Sequence, residues 1–211
     1  MDAGILPVKR LDAAKSRLDA LFDPGQRREL AAAMLEDALD LCAAAKFISW
    51  HVLSADDTVL RKGAERGFAT VEDPPSGGLN DSLTYAIERL SKADSVTIIP
   101  ADAPLATVAE LQDILDTGAI SDVVVVPAER DAGTNGLYLS PPDLMAPRFG
   151  ESSFSSYLRN AHETGLRCSI LPLEGLALDI DSPEDVDELL SGSPRENRTV
   201  RLLKRWHQER D

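Results

Sequence analysis

Several things are scarce in this chain, and each scarcity excludes something. There are two cysteines, Cys42 and Cys168, far apart and in no metal-ligand spacing. They give neither a disulfide framework nor a thiolate zinc site, so a reduced, cytoplasmic protein is expected. The three histidines are scattered. They suggest neither a zinc site nor a placed histidine base. Positive charge is in deficit, with 22 Lys and Arg against 36 Asp and Glu, a formal net charge of −14. Nucleic acid is therefore not expected as a partner, because binding it needs a basic footprint. No apolar run approaches a membrane span, and the N-terminus shows no signal-peptide pattern. GxGxxG and the Walker pattern GxxxxGK are both missing, so neither phosphate loop is expected.

What is present is an ordinary globular composition over 211 residues, 27% charged and 43% hydrophobic. That suits one domain with a tail. Gly4–Val8 reads as a first strand, followed closely by Lys9, Arg10, Lys15 and Arg17. Basic residues directly after a first strand can hold nucleotide phosphates, and a solvated turn gives the same pattern. Asp23 and Pro24 open a long helix as N-cap and first helical residue. Leu30, Met34, Leu35, Ala38, Leu41 and Cys42 recur at helical spacing on its core face. Phe47–Leu53 is a second strand, with Trp50 partly exposed. Asp57–Arg66 is a short helix and Phe68–Val71 a third strand. The order β-α-β-α-β implies a parallel sheet with right-handed crossovers.

The central stretch is Val96-Thr-Ile-Ile-Pro-Ala-Asp-Ala-Pro-Leu105. A short buried strand ends at Pro100 and leaves the Asp102 carboxylate at its carboxyl end, the edge where ligands bind in open α/β sheets. Such a carboxylate suits magnesium; a cap for the turn or for the helix starting near Thr107 is the alternative. Upstream, the loop Glu72–Asp81 is rich in Pro and Gly. Asn80 and Asp81 at its end could read a base or a ribose, or Asn80 could cap the next helix. Downstream come a helix over Thr107–Asp116 and a strand over Asp122–Val126. The polar loop Pro127–Gly136 then offers Gly133, Thr134 and Asn135 to a substrate or to a turn, and Leu137–Leu139 is the next strand.

Gly150 precedes a helix capped by Ser152 or Ser153. With Arg148 nearby, free amides there would bind phosphate or carboxylate. Leu166–Leu173 is a further strand. In Leu176–Asp185, strand alternation puts Asp179 and Asp181 on one face with Ile180 opposite. Two crowded carboxylates repel unless a cation lies between them, which favours a metal site. Ser182 then caps a helix opened by Pro183. Beyond the linker Ser191–Pro194, Val200, Leu203 and Trp206 recur at helical spacing among basic residues. Residues 1–191 are thus expected as the domain and 192–211 as a linker and basic amphipathic tail. The tail would pack on the acidic domain or on a second subunit, which makes a homodimer one expectation.

In order and spacing these stretches resemble the guanylyltransferases of coenzyme F-420 biosynthesis, which use 2-phospho-L-lactate or phosphoenolpyruvate. The residues that carry the resemblance are Leu6–Leu18, Gly78-Leu-Asn80, Pro100–Leu105, Gly133-Thr-Asn135, Arg148-Phe-Gly150 with Ser152 and Ser153, and Leu178–Pro183; the tail lies outside it. It implies a nucleotidyltransferase fold, a three-layer α/β/α sandwich with a mostly parallel central sheet, Rossmann-like and related to the nucleotide-diphospho-sugar transferases. It implies Mg2+ on Asp102, Asp179 and Asp181, with Asp102 and Lys15 at the reacting centre. Thr134, Gly150 and Ser153, with Ser152 and Arg148 beside them, would hold the phosphorylated three-carbon acid. Lys9, Lys15 and Arg17 would meet the GTP phosphates, and Gly78 and Asn80 would lie near guanosine. Handover of a labile product to the next enzyme of the pathway follows as an expectation. Rival readings are a sugar-phosphate nucleotidyltransferase or glycosyltransferase on the same fold, and a non-catalytic nucleotide-binding protein.

Overall fold

The structure is a computed structural model, and it describes residues 1–209 except 13, 75, 76, 91, 129, 131 and 193–195. Its seven strands are β1 (Asp2–Pro7), β2 (Ser49–Ser54), β3 (Ala69–Glu72), β4 (Ser95–Ile98), β5 (Val123–Pro127), β6 (Thr134–Leu139) and β7 (Cys168–Ile170). They form one sheet in the order β3-β2-β1-β4-β6-β5-β7. Pairing is parallel except where β6 runs antiparallel between β4 and β5. Among the described residues the eight α-helices are α1 (Pro24–Ala44), α2 (Asp57–Glu65), α3 (Leu79–Glu88), α4 (Val108–Gly118), α5 (Ser153–Thr164), α6 (Glu174–Ala177), α7 (Pro183–Gly192) and α8 (Arg198–Gln208).

Strands buried on both faces need apolar residues throughout, and the helices supply the cover. Leu6, Val52, Val124 and Val126 face α1, α2, α4 and α6, packing on Leu35, Leu39, Val59, Leu111 and Ile114. Their neighbours Ile5, Leu53, Val123 and Val125 face α3 and α5, packing on Leu83, Ile87 and Tyr157. These are the three layers expected. Trp50 is 4% exposed rather than partly exposed. The reason is Gly4 on the adjacent strand, where a Cβ would lie 2.3 Å from the indole ring; only glycine leaves the ring room to lie flat.

Asp23 caps α1 as expected, accepting from the Gln26 amide at 2.9 Å. The segment expected as a strand at Leu166–Leu173 is shorter, with only Cys168–Ile170 pairing to β5. Ser191 and Gly192, expected in a linker, complete α7, while 193–195 lie outside the described residues. The amphipathic tail forms α8 and packs on the domain, the first of the two alternatives. Val200, Leu203 and Trp206 join Leu30 and Met34 of α1 and Val186 and Leu189 of α7 in a third cluster.

The topology also fixes where a ligand can sit. From β1 the chain moves outward through β2 to β3, then crosses back to β4 on the other side of β1. The crevice at the carboxyl ends of β1 and β4 is thus the topological switch point, where open α/β sheets bind ligands.

Candidate active site

At that crevice lies a cavity of about 390 Å³, within the usual range for small-molecule sites. Lys9, Lys15, Gly78, Asp102, Thr134, Gly150, Asp179 and Asp181, eight of the expected site residues, line it. No described histidine does.

Its centre is an acidic trio around one buried lysine. Carboxylate oxygens of Asp102, Asp179 and Asp181 lie within 4.8 Å of one another. Lys15 Nζ donates to Asp102 at 2.6 Å and to Asp181 at 2.8 Å, and the lysine side chain is only 6% exposed. Lys15 reaches inward because its backbone is left-handed, with φ 59° and ψ 37°, at the turn before the short 3₁₀ segment Ser16–Leu18. Burial alone would discourage its charge, but the two carboxylates outweigh that and raise its pKa. Burial would likewise raise Asp181; the Lys15 ammonium reverses this and holds the carboxyl below its ordinary value.

Asp179 is treated differently. Burial pushes its pKa up to about 6, and the neighbouring charges of Asp102 and Asp181 add to the rise, against a hydrogen bond from Asn135. Three carboxylates against one ammonium leave the cluster short of positive charge. Hard oxygen donors converging in this way fit a divalent cation such as magnesium.

Backbone hydrogen bonds assemble the trio from distant segments. Thr107, not Asp102, caps α4, with Glu110 N–H donating to Thr107 Oγ1 at 3.0 Å; the helix-capping alternative for Asp102 is thereby removed. The stretch 178–182 is not a strand, contrary to the alternation argument. It is an irregular segment that leaves α6 with Leu178 in extended backbone and is anchored by buried Ile180, whose N–H donates to the Asp102 carbonyl at 3.1 Å. The expected alternation is kept: Ile180 is buried while Asp179 and Asp181 both line the cavity.

Thr134 and Asn135, expected in a loop, begin β6. Because β6 is antiparallel to β4, its amino end arrives beside the carboxyl end of β4. Nothing local in the sequence signals what Asn135 does there. Its amide donates to the carbonyls of Leu176 and Ala177 at 3.0 Å each and to Asp179 Oδ1 at 2.9 Å, setting both the segment and its carboxylate.

The expected acid-binding residues divide. Thr134 and Gly150 line the cavity, and Ser153, buried, donates to Thr134 Oγ1 at 3.1 Å from behind. Arg148 and Ser152 are exposed and outside the lining. Ser152 stands at the N-cap position without a side-chain cap. The first helical amides are not free for an anion: Ser153 N–H donates to Gly150 O at 3.1 Å and Phe154 N–H to Ala132 O at 3.3 Å. Gly150 itself has φ +127°, a conformation only glycine adopts without strain.

On the nucleotide side, Lys9 lines the cavity, whereas Arg17 is 72% exposed and reaches no closer than 3.9 Å to Asp181. Gly78, not Asn80, is the N-cap of α3. Both ends of the Asn80 amide are spent on Phe149, accepting from its N–H at 2.7 Å and donating to its carbonyl at 3.0 Å. With Arg148 N–H donating to the Tyr157 hydroxyl at 2.7 Å, this clamp fixes the loop that presents Gly150. Asn80 thus anchors this loop, and it lies outside the cavity lining.

The family model described as "Guanylyl transferase CofC like" matches residues 2–205. The chain belongs to this family. The match runs through most of α8, so the tail is part of the resemblance rather than outside it. The chain is 35% identical over 193 residues to a phosphoenolpyruvate guanylyltransferase of Sphaerobacter thermophilus, covering 90% of this chain and 93% of that one. It is 36% identical over 188 residues to a 2-phospho-L-lactate guanylyltransferase of Methanothermobacter thermautotrophicus, covering 88% and 82%. It is 33% identical over 211 residues to a 3-phospho-D-glycerate guanylyltransferase of Phenylobacterium zucineum, covering 96% and 95%. Among solved structures, one from Desulfovibrio desulfuricans G20 assigned to the nucleotide-diphospho-sugar transferases superposes with a TM-score of 0.82 at 17% identity, over 98% of this chain and 95% of that one. At that identity the likeness shows the fold alone. In addition, no helix among the described residues is long and apolar enough to cross a membrane.

Proposed function

We propose that this chain transfers GMP from GTP to the phosphate of a small phosphorylated three-carbon acid and releases pyrophosphate, as a step of coenzyme F-420 biosynthesis. The observation that carries the reading is the acidic trio with Lys15 at the switch point, flanked by a nucleotide-sized cleft on one side and by Thr134 and Gly150 on the other.

An oxygen of the acid's phosphate attacks the α-phosphorus of GTP. The bond from that phosphorus to the bridging oxygen breaks, and pyrophosphate leaves with its electron pair. The attacking oxygen is already ionised near neutral pH, so no general base is required, in agreement with a cavity that no described histidine lines. Alignment and charge neutralisation remain for the protein. Lys15 and Lys9 offer their positive charge to the phosphates, while Thr134, supported by Ser153, and the Gly150 backbone position the acid. Asp102, Asp179 and Asp181 would hold Mg2+, which when bound neutralises phosphate charge and draws donor and acceptor together. Cys42 and Cys168 are free thiols, which suits a cytoplasmic enzyme.

The test is pyrophosphate release by the purified protein with magnesium and GTP, offering phosphoenolpyruvate, 2-phospho-L-lactate and 3-phosphoglycerate separately, with ATP and CTP as controls. Release with GTP and one acid is expected. Silence with all three acids, from protein shown to be folded, would overturn the reading.

A further inference from the structure

Asp73 lies one residue past β3, at the far end of the same cavity. Its backbone N–H is fixed to the Ser54 carbonyl at 3.0 Å. Its side chain is half-buried, and one carboxylate oxygen, Oδ1, is fully buried with no hydrogen-bond partner among the described residues. Burial raises its pKa, and a hydrogen bond from Ser82 of α3 only partly opposes this. An unpaired buried carboxylate oxygen is costly, and its persistence in a ligand cavity calls for a reason.

The surroundings suggest one. Around Asp73 the cavity is lined by Leu53, Leu79, Leu83 and Pro7, an apolar setting for a flat base. From β3 to β4 is three strand spacings, roughly 14 Å, so Asp73 stands from Asp102 about as far as an extended purine nucleotide reaches from its α-phosphate to its Watson–Crick edge. Guanine alone among the common bases presents two adjacent donors on that edge, N1–H and the N2 amino group. A carboxylate accepts both, whereas adenine and cytosine each set a ring-nitrogen acceptor against it.

We propose that Asp73 is the residue that selects guanine, its carboxylate accepting from N1–H and from the N2 amino group. This rests on the guanylyl-transfer reading above. Accepting from both donors requires a turn about Cβ–Cγ that brings the buried Oδ1 into the cavity. Asn80, expected near guanosine, is committed to Phe149 instead.

The experiment compares kcat/KM for GTP, xanthosine triphosphate and ATP between the wild-type chain and Asp73→Asn, with magnesium and the acid that supports turnover. Xanthine replaces the N2 amino group by a carbonyl, which an asparagine amide can meet while still accepting from N1–H. Asp73→Asn is expected to lower kcat/KM for GTP roughly 10- to 150-fold, the range for a hydrogen bond to a charged group, and to use xanthosine triphosphate better than GTP. Unchanged use of GTP, or equal loss with all three nucleotides, would overturn the proposal. If the variant fails to fold, inosine triphosphate on the wild type decides, since it lacks only the amino group: use as good as GTP would overturn the proposal, and a loss of roughly tenfold or more would support it. If the wild type releases no pyrophosphate with GTP and any of the three acids, the guanylyl-transfer reading fails by itself. Calorimetric binding of GTP, inosine triphosphate and ATP to the wild type then tests Asp73 separately, with preference for GTP supporting it and equal binding overturning it.

Discussion

Asp37 on α1 and Asp179 at the cavity are both largely withdrawn from water, yet the fold treats them in opposite ways. Asp37, with a side chain 7% exposed, accepts from the Arg198 and Thr199 amides at 3.1 and 2.9 Å, from the Thr199 hydroxyl at 2.7 Å and from the Arg198 guanidinium at 3.4 Å. Its hydrogen-bonding capacity is used up in docking the first turn of α8. Asp179 has one side-chain donor, Asn135, and two carboxylate neighbours that repel it. A saturated buried acid is a structural fastening. An undersaturated one beside like charges stores unfavourable energy that a bound cation can relieve. The distinction between tail and site is thus one of hydrogen-bond completeness rather than of burial.

Four measurements would break or sharpen this comparison. The largest effect is expected from Asp102→Asn and Asp179→Asn, which should each lower turnover by roughly a thousandfold or more while the protein stays folded. Near-normal turnover with magnesium in the folded variants would undo the metal assignment. Next comes Lys15→Met, expected to lower turnover roughly a hundredfold. Asp102 and Asp181 would also lose their counter-ion, for a cost of about 2 kcal/mol, below the figure for fully buried pairs because Asp102 is 32% and Asp181 41% exposed. Added divalent cation should restore the melting temperature but not the rate. If the melting temperature is unchanged by the substitution, Lys15 does not balance the cluster.

Asp37→Ala should do the reverse. Stability should fall by about 2 kcal/mol, a drop in melting temperature of roughly 4–8 °C, while kcat at 25 °C barely moves. A loss of rate without loss of stability would show that α8 serves the site; the route would be Asn197, whose amide donates to the Pro104 carbonyl at 2.6 Å.

The smallest effect is on the pH dependence of stability without divalent cation. The folded state binds the Asp179 proton more tightly than the unfolded chain does, because burial raises its pKa to about 6. Stability should therefore fall as pH rises from the ordinary carboxylate range to about 6, and then level off. Asp179→Asn removes this slope. It should stabilise the cation-free protein by about 1 kcal/mol above pH 6, after discounting for partial exposure, and by nothing near pH 4. Thermal unfolding across that pH range reads both limbs, and parallel curves for wild type and variant would refute the undersaturation of Asp179.

Much of this was legible in the chain. Asp102 after an apolar strand, the Asp179-Ile180-Asp181 alternation, and the Asp23-Pro24 helix start all express local rules, and local rules act over a few residues. Asp179 and Asp181 share the cavity face, with Ile180 buried opposite, even though the segment is not a strand. The sequence is least legible where a partner distant in the chain decides the outcome. Trp50 is buried because Gly4 on β1 makes room for it. Asn80 is spent on Phe149, 69 residues away. Asn135 reads locally as either a substrate contact or a turn former, because nothing nearby in the chain shows that β6 runs antiparallel to β4. Asp73 carried no local signal, since its unpaired oxygen is a property of the space around it.

The sequence by itself determined most of the strand and helix order, though not α6 or the irregular 178–182 segment, together with the family and the three candidate metal-binding carboxylates, because periodicity, capping and motif spacing are written in neighbouring residues. Only the tertiary structure decided that Lys15, 87 residues before Asp102 and 166 before Asp181, would be the cation between them. Electrostatic balance depends on distance in space, and the folding of the sheet and its crossovers sets that distance.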